Sequence, residues 1–411
     1  MVGSTIKPGG GSMRKFLVVT LAVLAAGSLG LATEPGKITI WADDTRTPVF
    51  QMLGELYTAM TGVPVEVVEV GFNDIRGQFT TAAPAGEGPD IIIGAHDWVG
   101  ELAANGLLAE LSPPEGVKAN YDPVGLEAFT YGALYGLPYA REGVALVYNK
   151  ALVPEPPATF EELVEFARQF TDPTVPQYGF AVQNPDPYHE FPFLSAFGGY
   201  IFGYDEEGKL NPCDVGLDSP GAIEGAEYLD SLFEEGLLAA GMGWDTWTSL
   251  FAEGRIAMVI TGPWAIGIAQ NAGIDVGVMP IPPIQGHTPK PFVGVQGLMV
   301  SAFSPNLPLV EDFLYNFFSS QAVQLAMYML DPRIPVFLPA FEVIATKDPI
   351  NGGFAESLAN GVPMPNIPEM SAVWGAWTDA MAAIGNQDLE PAEALKQAAD
   401  NIRQTLGCSS Q

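Results

Sequence analysis

The stretch 37-KITIWADDTRTPVFQMLGELYTAMTGVPVEVVEV-70 decides the fold. "KITIWAD" alternates as a strand does, and "PVFQMLGELYTAMTG" then sets Phe50, Leu53, Tyr57 and Met60 on one helical face, with Gly62 as the stop. "VPVEVVEV" is a second strand. Downstream, 89-PDIIIGA-95 is a short continuous apolar run of the kind a strand covered on both faces needs, and 98-WVGELAANGLL-108 reads as a helix. The order β-α-β-α-β predicts a parallel sheet with helices on both faces. Such sheets bind ligands beyond the carboxyl ends of their strands. Those ends carry Asp43, Asp44, Thr45 and Arg46 after the first strand, and His96, Asp97 and Trp98 after the third.

A Pro-rich connection, 151-ALVPEPPATF-160, leads to a helix opened by a capping box from Thr159 to Glu162. The alternation then starts again: strand "YGFAVQ", helix "PGAIEGAEYLDSLFEEGLL", strand "RIAMVIT", corner "GPWA" and strand "VGVMPIP". No sequence repeat underlies this second unit. A strand at 291-PFVGVQGLMVSA-302 and a long helix around 310-VEDFLYNFFSSQAVQLAMYML-330 fit either unit by periodicity. A chain of 411 residues exceeds one ordinary core, so two or three domains are expected.

Lys and Arg number 17 against 48 Asp and Glu, a formal charge of −31, which repels nucleic acid phosphates and anionic lipid alike. Residues 1–12 read as an added leader. Residues 13–32, "MRKFLVVTLAVLAAGSLGLA", have the order of a secretory signal peptide: two positive charges, a short apolar stretch, then small residues. Its removal with the leader takes away Lys7, Arg14 and Lys15 and no acid, leaving −34. In an oxidising compartment Cys213 and Cys408 are expected to pair, tying the tail to a loop.

The three histidines, His96, His189 and His287, lack zinc-pair spacing, and there is no G-x-S-x-G elbow, so neither a metal site nor a catalytic triad is expected. 203-GYDEEGKL-210 has the G-x-x-x-x-G-K spacing of a P-loop, but Leu210 replaces the hydroxyl residue and three acids crowd the cradle; it reads as a hairpin turn. Aromatics mixed with carboxylates stand out instead: Trp264 on its strand-to-helix corner, Asp186, Tyr188 and His189 in "DPYHE", and Trp374 and Trp377 in "AVWGAWTDAM". Sugar sites use this mixture, because a pyranose packs its apolar face on a ring while carboxylates accept its hydroxyls. Core packing competes as an explanation, most directly for Trp374, which shares a helical stripe with Met370, Trp377, Met381 and Ile384.

Taken together, "GPDIIIGAHD", "LVYNKALVPEPPATFEEL", "GRIAMVITGPWA", "KPFVGV" and "MPNIPEMSAVW" resemble the periplasmic maltodextrin-binding proteins of ABC importers, in the wider extracellular solute-binding family, in order and over nearly the whole mature chain. The resemblance implies an α/β periplasmic binding protein fold of two lobes, each a mostly parallel sheet flanked by helices. The chain would cross between lobes three times, near Arg141 to Val144, close to Val293 and around Arg333 to Pro339. The lobes would comprise 36–141 with 293–335, and 142–292 with 336–411. It implies stacking by Tyr188, Trp264 and Trp374, and hydroxyl binding by Glu142, Asp186 and Asp97, with Arg46 standing where the family has a lysine. Asp44, Trp98 and His189 are further candidates by position.

Three departures bear on specificity. Gly94 stands where the family pattern has a tryptophan, Trp98 where it has an arginine, and Thr378 replaces another arginine. Loss of a first-lobe ring removes a stacking plane of roughly 0.5–1.5 kcal/mol; Trp98 could rebuild one. The expectation is a monomeric, non-enzymatic receptor without cofactor, presenting an α-linked gluco-oligosaccharide to membrane permease subunits from the periplasm. Trehalose or sucrose is the rival ligand. A secreted glycosidase is the rival class, though the sequence offers no dedicated acid/base pair.

Overall fold

The computed structural model describes residues 34–172, 174–344 and 347–408. The leader and signal peptide read at 1–32 lie outside them. No helix among the described residues is long and apolar enough to cross a membrane.

The first lobe is built on a seven-stranded sheet. Its strands are β1 (Ile38–Ala42), β2 (Val65–Glu69), β3 (Ile91–Ala95), β4 (Gly136–Glu142), β9 (Phe292–Val300), β10 (Ile334–Pro335) and β11 (Val362–Pro363), in the order β10-β4-β9-β3-β1-β2 with β11 beside β9. The second lobe is built on four: β5 (Ala145–Asn149), β6 (Tyr178–Val182), β7 (Ile256–Thr261) and β8 (Val276–Met279), in the order β8-β5-β7-β6. Every residue of β1, β3 and β7 is buried, which is why these strands are apolar without a break.

Both sheets are mixed rather than mostly parallel. β1 pairs parallel with β2 and β3, and β6 with β7. β9 runs antiparallel to β3 and β4, and β5 antiparallel to β7 and β8. Among the antiparallel members, β4 and β5 flank Gly143 and Val144, and β9 begins at Phe292.

Two helices depart from their patterns. Helix Thr47–Thr61 buries Phe50, Leu53 and Tyr57, but Met60, its penultimate residue, is 68% exposed. The run 310–330 is not one helix: a wide turn over Phe313–Phe318 breaks at Ser319, and Ser320 then caps helix Gln321–Leu330 by accepting the Val323 N–H. The chain after β10 is bonded to the segments around β4. Val336 N–H donates to Tyr139 O, Val336 O accepts from Asp122 N, and Leu338 N–H donates to Asn120 O. Helix Pro349–Leu358 then packs on β8 of the second lobe.

Locally the chemistry is as written in the chain. Thr159 Oγ1 accepts the Glu162 N–H at 3.2 Å, while the Glu162 carboxylate accepts from Ala158 N at 2.8 Å. 203–210 is the turn of an antiparallel hairpin, with Gly208 at φ 76°. Cys213 on that hairpin is bonded to Cys408, with Cα atoms 5.5 Å apart, and Arg403 adds a two-pronged pair with Asp218 at 2.8 Å on the same surface.

Candidate functional site

In the first lobe β3 runs into a 3-10 turn, His96–Trp98. A Cβ on Gly94 would lie 2.0 Å from Trp98 Cζ3, so the indole occupies the volume that a side chain at 94 would need. Trp98 is buried; its ring meets Phe72 at 5.1 Å, and the Arg46 guanidinium lies 5.4 Å from the Phe72 ring centre. Trp98 therefore fills the gap at Gly94 as a packed ring. Asp97 points its carboxylate to the other lobe, where Oδ2 accepts the Trp374 indole N–H at 2.9 Å. Burial pushes the Asp97 carboxyl above its ordinary range, against the pull of His96, the indole and Arg76. His96 is fixed as the Nε2–H tautomer, because Nδ1 accepts the Val295 N–H and Nε2 faces Met364 O, each at 3.1 Å; burial keeps it neutral by lowering its pKa.

The second lobe has a matching corner. Gly262 follows the last residue of β7, and the Trp264 ring folds back so closely that a Cβ on Gly262 would lie 2.1 Å from it. Unlike Trp98, Trp264 is only half-buried. Tyr188 lies 6.0 Å away and His189 5.7 Å, edge-on. Both come from the first turn of helix Pro187–Ala196, which Asp186 caps by accepting their N–H groups at 3.0 and 3.3 Å. The other Asp186 oxygen accepts from Gln183 at 2.6 Å and lies 3.1 Å from His189 Nδ1, misaligned for a hydrogen bond. Burial would raise the Asp186 carboxyl, but His189 and the backbone donors outweigh it and hold it below its ordinary range. Beneath, the wholly buried Glu190 accepts from Asn184 at 2.6 Å and from Asp186 N at 2.9 Å, and burial pushes its pKa to about 8.

Trp374 opens helix Val373–Gly385, parallel to Trp377 at 6.2 Å and edge-on to Phe292 at 6.1 Å. The Tyr188 hydroxyl and His189 Nε2 are buried with no hydrogen-bond partner, while His189 Nδ1 has the Asp186 carboxylate beside it. A buried polar atom left unpaired costs about 1–3 kcal/mol, so these atoms mark where an outside partner would be favoured. Tyr188, His189, Trp264, Trp374 and Asp97 thus gather aromatic faces and polar atoms from both lobes.

Glu142 and Arg46 belong to a different arrangement. Glu142, at the end of β4, pairs one oxygen with Arg333 Nη1, while the other accepts from Gln296 at 2.6 Å and lies 3.6 Å from Arg46. Arg46 also pairs with Asp43 and donates to the Tyr139 hydroxyl at 2.6 Å; burial pushes that hydroxyl to about 12. Arg333 reaches Asp331 at 2.5 Å and Thr45 Oγ1 at 3.0 Å. The two residues expected to bind sugar are thus held in a buried ion network joining the turn after β1 to the end of β4 and to Arg333 just before β10. Asp44 is exposed on the outside of that turn, and its neighbour Asp43 takes the inward role. Arg333, Gln296, Tyr139 and Phe292 were not legible as site residues; the one hint was an arginine between prolines in a chain with 17 basic residues.

The chain after β11 stays against the first lobe. Asn366 donates to Ala128 O and Thr130 O at 3.1 Å, and Gly100 lies so close to 366–368 that a Cβ there would be 2.4 Å from Asn366 O. Residues 53–353 match the family of bacterial extracellular solute-binding proteins. The chain is 36% identical, over 85% of its length and 77% of the relative's, to a maltotriose-binding protein of Pyrococcus abyssi. It is 30% identical, over 94% of both chains, to a galactooligosaccharide-binding protein of Bacillus subtilis. The solved maltotriose-binding protein of Thermus thermophilus, with maltotriose bound, superposes with a TM-score of 0.86 at 33% identity, over 90% of this chain and all of that one. With the family pattern spanning both lobes and the fold shared at this level, the chain belongs to the bacterial extracellular solute-binding protein family.

Proposed function

We propose that this protein is the sugar-binding component of an ABC importer, capturing a maltodextrin of about maltotriose length between its lobes and delivering it to membrane permease subunits outside the cytoplasmic membrane. The observation that carries this is the pairing of Trp264 and Tyr188, with unsatisfied polar atoms on Tyr188 and His189, against Asp97 of the other lobe. Rings take the apolar faces of glucosyl units, and the polar atoms take hydroxyls. Neither lobe alone surrounds a ligand, so sugar contacts favour the closed arrangement and binding drives closure. Two relatives named for maltotriose support the chain length.

The Bacillus relative favours a second reading, a galacto-oligosaccharide, because it aligns over 94% of this chain. Trp98 packed over Gly94 bears on either ligand: with its ring buried against Phe72, the first lobe offers Asp97 rather than an open stacking plane. A glycosidase is disfavoured because two of its three candidate acids are engaged, Glu142 with Arg333 and Gln296 and Asp186 as a helix cap, which leaves Asp97 without a second carboxyl to act beside it. Calorimetric titration with maltotriose, maltose, trehalose, sucrose and a galacto-oligosaccharide tests the proposal. Maltotriose should bind in the micromolar range or tighter, about 8 kcal/mol or more; preference for the galacto-oligosaccharide would install the second reading, and preference for a disaccharide a shorter cleft.

A further inference from the structure

Trp374 carries a feature that stacking does not require. Its indole N–H donates to Asp97 Oδ2 at 2.9 Å, and the two residues belong to different lobes. Trp377, parallel to it on the same helix and fully buried, has no partner for its own N–H. The bond is therefore particular to residue 374. It forms at the start of helix Val373–Gly385, which packs on second-lobe helices, just past the 364–366 segment that follows β11 and stays bonded to the first lobe through the His96 ring to Met364 O and Asn366 to Ala128 O and Thr130 O. Asp97 is 4% exposed, and with Oδ2 held, Oδ1 is the oxygen left to accept a ligand hydroxyl.

We infer that the Trp374–Asp97 hydrogen bond is a closing latch that forms between the lobes without sugar and sets the orientation in which Asp97 meets the ligand. The inference rests on the cleft being the sugar site. Trp374 then has two separable parts: a ring face for the sugar and an N–H for the opposite lobe. Phenylalanine at 374 keeps an aromatic face and loses the donor. As a positioning residue Trp374 acts on binding through Asp97, and the latch gives the unliganded protein a closed population before sugar arrives.

The test uses the whole protein labelled with 15N in its seven tryptophan indoles, without sugar. Trp374→Phe removes one signal and so assigns it. The expected Trp374 signal is shifted downfield and exchanges slowly with deuterium, and Asp97→Ala abolishes both properties while the remaining signals keep their places. Should Asp97→Ala fail to fold, Asp97→Asn retains the size with a weaker acceptor, and the signal should move part of the way. A Trp374 signal that exchanges freely in the unliganded protein, or that is unmoved by either substitution, overturns the latch. Maltotriose binding is then measured separately: roughly five-fold or more weakening in Trp374→Phe is expected from a lost charge-assisted bond, and unchanged affinity overturns the positioning role. Wild-type protein that shows the latched signal but ignores maltotriose leaves the latch standing and removes the maltodextrin reading.

Discussion

The two lobes solve the same corner with different outcomes. In each, a buried strand meets a short 3-10 turn, and a tryptophan from the turn folds over a glycine near the strand's end: Trp98 over Gly94, Trp264 over Gly262. Trp98 comes four residues after its glycine and is buried against Phe72, whose ring Arg46 in turn approaches. Trp264 comes two residues after its glycine and stays half-open beside Tyr188 and His189, each with an unpaired polar atom. The glycine-tryptophan device makes a flat wall in both lobes. What packs on the outer side of that wall decides whether it is core or platform.

Trp98→Ala should break the first corner outright. Removing a buried tryptophan costs about 3–5 kcal/mol, to be read as a lower denaturant midpoint. Trp264→Ala should leave most of that stability and instead weaken maltotriose binding by roughly tenfold, about 1.4 kcal/mol, in calorimetry. If both substitutions act on stability alone, the second corner is core as well.

Adding a methyl at each glycine sharpens the contrast. Gly94→Ala drives a Cβ into an enclosed ring and should cost about 1–3 kcal/mol of stability. Gly262→Ala pushes a ring that can swing outward, so the loss should appear mainly as weaker sugar binding. Equal stability losses would deny the difference in enclosure.

The smallest effect is expected from pH. Burial holds the Asp97 carboxyl above the usual value near 3.9, whereas Asp186 is held below it by His189 and the helix N–H groups. Ionised Asp97 is the form that accepts a sugar hydroxyl. As pH falls through its raised pKa the affinity should decline, while Asp186 remains charged to lower pH. Titrations between pH 7 and 4 check this; an affinity that stays flat until about pH 4 would place the controlling acid among ordinary carboxylates.

Much of the fold was legible because burial on both faces demands unbroken apolar strands, and "ITIWA", "IIIGA" and "IAMVIT" supply them. The mixed strand directions were not legible, since an apolar run has no arrow. The break at Ser319 was hidden for a related reason: 310–330 keeps helical periodicity through a turn that tertiary packing widens. Among the candidate site residues, Trp264 and Asp97 could be named from residue type beside a strand end, whereas roles for Tyr188 and Trp374 came from the family resemblance, since a helical stripe accounts for Trp374 equally well. Arg333 could not be named, because its partners Glu142 and Thr45 lie 191 and 288 residues away.

The sequence by itself determined the elements and their chemistry: apolar strands, capped helices, glycine corners carrying tryptophans, and a cysteine pair in a strongly acidic chain. Tertiary structure alone decided which of those residues remain available to a ligand. Glu142 and Arg46 look like binding groups in isolation, but distant charges meet and neutralise them. Trp98 and Trp264 read alike until Phe72 covers one and leaves the other open. Availability depends on what arrives from elsewhere in the chain, and local sequence holds no record of that.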